Sequence, residues 1–150
     1  MTKWLDDAQQ SAWRKFIEVV ELLPGALDSQ LRADAALSHF DYFTLAMLSE
    51  APGRTLRMTA LAELTHSTLP RLSHVVSRLE EREYIDRAPC PEDRRATNAT
   101  LTEKGWQKVV ASAPGHVAAV RDLVFANLDP DDVADLDRVM ARILTKLGAQ

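Results

Sequence analysis

Cysteine occurs once in these 150 residues, as Cys90, which excludes an internal disulfide and a cysteine-based zinc site. Glycine is nearly as scarce, with 5 in the chain, and none of them builds a phosphate loop or a dinucleotide-binding turn. G-x-S-x-G and H-E-x-x-H are also missing, so no enzymatic activity is expected. His39, His66, His74 and His116 are scattered without metal-ligand spacing, and neither metal nor cofactor is expected. No apolar run approaches the ~20 residues of a membrane span. The first stretch carries Asp6, Asp7, Glu18, Glu21 and Asp28, which argues against a signal peptide. A cytoplasmic chain without a membrane partner is the resulting expectation.

What is present is an ordinary globular composition, 46% hydrophobic and 27% charged, in a chain of single-domain length. The formal net charge of -4 runs against nucleic-acid binding if taken alone. Phosphate contact depends on a local basic surface, however, and here the charge is segregated. Arg54, Arg57, Arg71 and Arg78 stand against Glu63 alone in the middle of the chain. From Arg121 onward the acids Asp122, Asp129, Asp131, Asp132, Asp135 and Asp137 outnumber the bases.

Apolar periodicity organises the chain into helices with one change of period. Trp13, Phe16, Ile17, Val20 and Leu23 form a first stripe, which Pro24-Gly25 is expected to kink or stop, with Leu27 and Leu31 beyond. Ser38 and Asp41 make an S-x-x-D capping pattern for a helix to about Glu50, ended by Pro52-Gly53. Two short helices follow. The first carries Leu61 and Leu64 with Thr59 as its expected cap; the second starts at a Ser67 cap with Leu69, Leu72, Val75, Val76 and Leu79 inward. Such a pair joined by a tight turn is a helix-turn-helix. Tyr84–Pro89 and Ala99–Leu101 then read as strands of a hairpin with the polar tip Cys90 to Asn98. A helix from Thr102-Glu103 through Val124 follows, expected to kink at Pro114-Gly115. The last helix opens on Asp129-Pro130 and carries Val133, Leu136, Met140, Ile143, Leu144 and Leu147.

The second helix of the pair holds the candidate interface. With its apolar stripe inward, Pro70, Arg71, Ser73, His74, Ser77 and Arg78 face outward beside Ser67 and Thr68, without a carboxylate among them. A solvated face mixes acids with bases, whereas a major-groove reader excludes acids. In the hairpin tip, Arg94 and Arg95 suit the negative potential of a minor groove. Asp93 is assigned to orient one of these arginines through a charge-assisted pair. A solvated turn with local ion pairs is the alternative reading of the tip.

The run Leu61-Ala62-Glu63, the helix Ser67 through Glu81, Asp93-Arg94-Arg95 and Leu101-Thr102-Glu103-Lys104-Gly105 resembles the MarR family of transcription regulators. The resemblance implies a mainly α fold with a small β-wing: a winged helix-turn-helix module (about 38–102) flanked by N- and C-terminal dimerisation helices (about 1–36 and 103–150). It further implies a homodimeric, sequence-specific regulator of double-stranded DNA, a repressor on an inverted-repeat operator, released by a small aromatic or anionic effector. Trp13, Phe16, Phe40 and Phe43 are the candidate effector pocket, although aromatics at helical spacing also serve as plain core. Two rival readings stand beside this one: a winged-helix protein-interaction module without specific DNA binding, and a redox-responsive regulator switched at Cys90. Two positions depart from the family. Glu83 stands where glycine is common, and a left-handed glutamate costs on the order of 1 kcal/mol, so a different turn is expected there. Leu69-Pro70 is an unusual opening for the recognition helix; it leaves the fold expectation intact, but no DNA sequence preference is carried over from the family.

Overall fold

The computed structural model describes residues 1–148. In chain order the elements are α1 (Asp7–Ala35), α2 (His39–Glu50), a short 3-10 turn (Pro52–Arg54), β1 (Thr55–Arg57), α3 (Met58–Leu64) and α4 (Leu69–Glu81). The strands β2 (Ile85–Pro89) and β3 (Thr97–Leu101) follow, then α5 (Glu103–Val120), a widened π-type turn (Arg121–Phe125) and α6 (Pro130–Lys146). The chain divides into two compact units, residues 1–116 and a second beginning at Val117.

Helix α1 begins on a reciprocal cap in which Asp6 accepts from the Gln9 N–H and the Gln9 side chain accepts from the Asp6 N–H. Of the two outcomes the sequence allowed at Pro24-Gly25, a kink or a stop, the stop does not occur. Pro24 is solvent-exposed, so water reaches the Val20 carbonyl that loses its partner, and the flanking turns carry the helix through. Beyond Pro24, Leu27, Leu31 and Ala35 are buried; before it, Trp13, Val19, Val20 and Leu22 remain exposed. Ser38 and Asp41 form the expected capping box of α2, each bond 2.9 Å long.

Strand β1 was not foreseen, because three residues are too few to show alternation. It lies on one side of β3 and β2 on the other, all antiparallel, with Thr55 opposite Thr100 and Ile85 opposite Leu101. The Thr55 and Thr100 hydroxyls meet at 2.8 Å. Because Arg57 is still paired with Asn98, the chain passes directly from strand into α3, which starts at Met58 without a side-chain cap. Thr59 therefore lies inside the helix and caps nothing.

The turn from α3 to α4 is a Schellman closure. His66 takes the left-handed conformation (φ 51), its N–H reaches the Glu63 carbonyl, and the Ser67 N–H reaches the Ala62 carbonyl. Ser67 is thus spent on ending α3, and Thr68 caps α4 by accepting from the Arg71 N–H at 3.3 Å. This shifts the expected cap by one residue. Pro70 then falls at the second helical position, where no N–H is needed. Leu72, Val75, Val76 and Leu79 point inward as expected, but Leu69 is exposed. Full burial of each such side chain is worth roughly 1.5–3 kcal/mol, which anchors α4 on the core formed with Leu45, Leu48 and Leu61.

The end of α4 repeats the Schellman pattern, with Glu83 in the glycine position (φ 65) and the Tyr84 N–H bonded to the Leu79 carbonyl. The different turn expected from a glutamate there does not occur: the backbone geometry is kept and the strain is accepted. Its carboxylate meets Lys104 at 3.0 Å, and the Thr102 hydroxyl donates to its carbonyl at 2.6 Å. Thr102 also accepts from the Gly105 N–H and so starts α5. Gly105 lies against the Tyr84 carbonyl, leaving no space for a side chain. The Thr-x-x-Gly pattern therefore docks α5 onto the base of the hairpin. Helix α5 continues through Pro114, and the irregular winding falls later, at Arg121–Phe125.

In the second unit, α6 has the expected start: Asp129 accepts from the Asp132 N–H at 2.8 Å and Asp132 returns the bond. None of its residues is buried. No single helix among the described residues is long and apolar enough to cross a membrane.

Candidate nucleic-acid interface

On α4 the structure exposes Thr68, Pro70, Arg71, His74 and Arg78 and half-buries Ser73 and Ser77; Ser67 in the preceding turn is half-buried too. Two arginines of this face are held by α2. The Arg71 guanidinium lies 4.2 Å from the centre of the Phe40 ring, and Arg78 approaches the Asp41 carboxylate at 3.6 Å. Ser77 is occupied, since it accepts from the Arg87 guanidinium at 3.0 Å.

Arg87, on β2, ties the hairpin to α4. Its backbone N–H donates to Glu80 at 2.8 Å and its guanidinium to the same carboxylate at 3.1 Å. These bonds, the backbone one above all, hold the Glu80 carboxyl below the usual range despite partial desolvation. Between α4 and the hairpin opens a cleft of about 240 Å³ lined by Arg57, Thr59, Leu69, Ser73, Arg87 and Arg95, among others. Arg57 and Arg87 were missed as site residues. Arg57 was visible in the basic middle of the chain, but only the unforeseen β1 carries it to this cleft.

At the tip, Asp93 accepts from both the backbone N–H and the Nε of Arg95, at 3.1 and 3.2 Å. The Arg95 side chain is otherwise 92% exposed, and Arg94 is exposed beside it. Strand β3 starts two residues earlier than the sequence suggested, so the loop between the strands is shorter, 90–96. Cys90 is buried at its base, and its thiol donates to Glu92 at 3.1 Å. That bond is the main cause of a lowered Glu92 carboxyl pKa.

The candidate pocket aromatics occupy different surroundings. Trp13 pairs with Phe16 one turn on in α1, with ring centres 6.3 Å apart, while Phe40 sits under Arg71 and Phe43 is half-buried in α2. The His116 ring lies 4.6 Å from that of Tyr42 and stacks on His39 at 6.2 Å. Burial lowers the pKa of both histidines, against a smaller opposing pull of Asp28 on His39. Among the described residues no cluster of His, Cys, Asp or Glu is placed to hold a metal ion.

A helix-turn-helix whose second helix presents an acid-free outer face, followed by a hairpin with exposed arginines, defines a winged helix-turn-helix protein. A model of the MarR family matches residues 39–96, from the first turn of α2 to the end of the wing tip. Sco3205 of Streptomyces coelicolor, a MarR family transcriptional regulator solved in complex with DNA, is similar at 42% identity and TM-score 0.91. That likeness covers 97% of this chain and 91% of Sco3205. AbsC, a MarR family transcriptional regulator of the same organism, is 39% identical with TM-score 0.92, over 99% of this chain and 100% of AbsC. The HTH-type transcriptional regulator YdcH of Bacillus subtilis is 32% identical over 84 residues, and that match spans only 57% of its length and 55% of this chain. The chain belongs to the MarR family of transcription regulators, which are not enzymes.

Proposed function

We propose that the chain works as a homodimer in the cytoplasm, binding an inverted-repeat operator in double-stranded DNA as a repressor that a small aromatic or anionic ligand releases. The observation that carries DNA reading is the outer face of α4, where Arg71, His74 and Arg78 are exposed beside the arginine-lined cleft and the Arg94–Arg95 tip. In this reading α4 enters the major groove with Ser67, Thr68, Pro70, Arg71, Ser73, His74, Ser77 and Arg78. Arg94 and Arg95 reach the minor groove, with Asp93 orienting Arg95. Residues 38–102 are then the DNA module, and 1–36 with 103–150 supply dimerisation.

Dimerisation is supported by α6, whose Val133, Val139, Ile143, Leu144 and Leu147 are all exposed despite lying on an amphipathic helix. A soluble monomer seldom leaves such a stripe uncovered. The test is selection of bound fragments from the source genome, followed by footprinting and salt titration. Two protected half-sites ~34–36 Å apart are expected, with affinity falling steeply as salt rises. Binding without salt dependence or sequence preference would instead favour a protein-interaction module. The effector part is tested by release of bound operator on adding aromatic carboxylates.

A further inference from the structure

We propose that Phe40 and Asp41, consecutive residues in the first turn of α2, are positioning residues that present the two arginines of α4 to DNA. The inference deepens the reading of α4 as the groove-reading helix and rests on it. Arg71 and Arg78 are seven residues apart, two turns of helix, and so lie along one side of α4. Each meets a side chain of α2: the Phe40 ring face lies 4.2 Å from the Arg71 guanidinium, and the Asp41 carboxylate 3.6 Å from Arg78.

The first turn of α2 is itself rigidly fixed. Asp41 is buried, and one of its carboxylate oxygens is spent on the Ser38 N–H in the capping box. The other oxygen is buried without a hydrogen bond and lies 3.6 Å from the Arg78 guanidinium, with Arg32 of α1 a second cation within electrostatic reach of the carboxylate. Asp28 of α1 accepts from the His39 N–H at 2.8 Å and fixes the turn from the other side. Phe40 packs against the buried core, so its ring does not yield to the arginine. A free arginine loses much of its rotamer freedom when it docks on DNA. An arginine already laid on a fixed ring has lost part of that freedom, and the loss on binding is smaller. The geometry also leaves the outer edge of each guanidinium free, since both arginines stay exposed.

The test is a double-mutant cycle on the full-length protein, using a duplex with the genome-selected repeat and a random duplex of equal length. Phe40→Leu keeps an apolar side chain and removes the ring face. It is expected to lower the operator-to-random preference about 2- to 5-fold, as a cation–π contact of ordinary strength implies. Phe40→Trp, which keeps a ring face, should retain the preference. In an Arg71→Ala background Phe40→Leu should change nothing, although its effect on thermal stability persists. Asp41→Asn, which still accepts from the Ser38 N–H, should behave the same way toward Arg78→Ala. Equal losses from Phe40→Leu with and without Arg71 would show that the ring acts through core packing, and would overturn the proposal. Tighter operator binding by Phe40→Leu would overturn it too, since the ring would then be holding Arg71 back. If Arg71→Ala binds and discriminates like the wild type, the groove reading itself fails, and the proposal with it.

Discussion

Gly105→Ala tests whether α5 is docked onto the wing by contact as close as the backbone allows. A methyl group at this position would overlap the Tyr84 carbonyl oxygen and meet a Leu101 methyl at 2.6 Å. The leucine end can turn away, but the carbonyl is backbone and accepts the Thr102 N–H at 3.0 Å. Relief requires α5 and the start of β2 to separate by about 1 Å, and overpacking of this kind typically costs ~1–3 kcal/mol. Stretching the Tyr84–Thr102 bond adds to the cost, at about 1 kcal/mol if it is lost. Alanine recovers up to ~1 kcal/mol of helix propensity, so the net loss is about 2 kcal/mol. Thermal unfolding followed by circular dichroism at fixed protein concentration should show Tm lowered by roughly 4–8 °C. Gly25→Ala is the matching control. It lies inside α1 with nothing within 4 Å of the added carbon, and alanine there should stabilise by ~0.5–1 kcal/mol. A Gly105→Ala protein as stable as the wild type, or shifts of the same sign in both variants, would refute the close-contact argument.

Glu83→Gly should raise stability by a few tenths to ~1 kcal/mol, because the left-handed strain outweighs an exposed ion pair with Lys104; a lower Tm would reverse that ranking. Burial holds His39 and His116 below the ordinary histidine range of 6.5, so the unfolded chain takes up protons first as pH falls. Their contribution is therefore complete above that range and is lost as pH drops through the folded values. Between pH 7.5 and 5.5 a His116→Gln variant should lose less Tm than the wild type, and equal losses would count against the argument. Arg95→Ala should weaken operator binding by ~1–3 kcal/mol, and Asp93→Ala should weaken it too despite removing an acid. The double variant should show strong non-additivity, and strict additivity would make Asp93 a mere turn residue.

Features legible in the sequence were those decided within four residues. The capping boxes at Ser38–Asp41 and Asp129–Asp132 fell where their spacing put them, as did the buried stripe Leu72, Val75, Val76, Leu79. The Asp93–Arg95 contact was of the same local kind. What failed depended on partners distant in sequence or on competition for a backbone group. Thr59 and Ser67 both had the chemistry of a cap, but β1 pairing carried Arg57 directly into α3, and Ser67 was claimed by the end of that helix. Pro24 had the signature of a kink or a stop, yet the helix runs on past it to Ala35. Arg87 gave no sign from its own neighbourhood that it would reach back from β2 to bond Glu80 and Ser77 of α4. The hold of Phe40 on Arg71 joins residues thirty-one positions apart, and no local pattern announces it.

The burial of Cys90 makes the wing its own chemical reporter. A sulfhydryl that is 2% exposed and bonded to Glu92 reacts with an alkylating reagent only when the loop 90–96 swings open. Since the chain has no other cysteine, mass spectrometry of unmodified protein needs no substitutions to count those openings. Labelling with N-ethylmaleimide should therefore be slow in the free protein and faster in Asp93→Ala, whose tip has lost its brace. Bound DNA should slow it further, turning the alkylation rate into a clock for how firmly the wing is clamped.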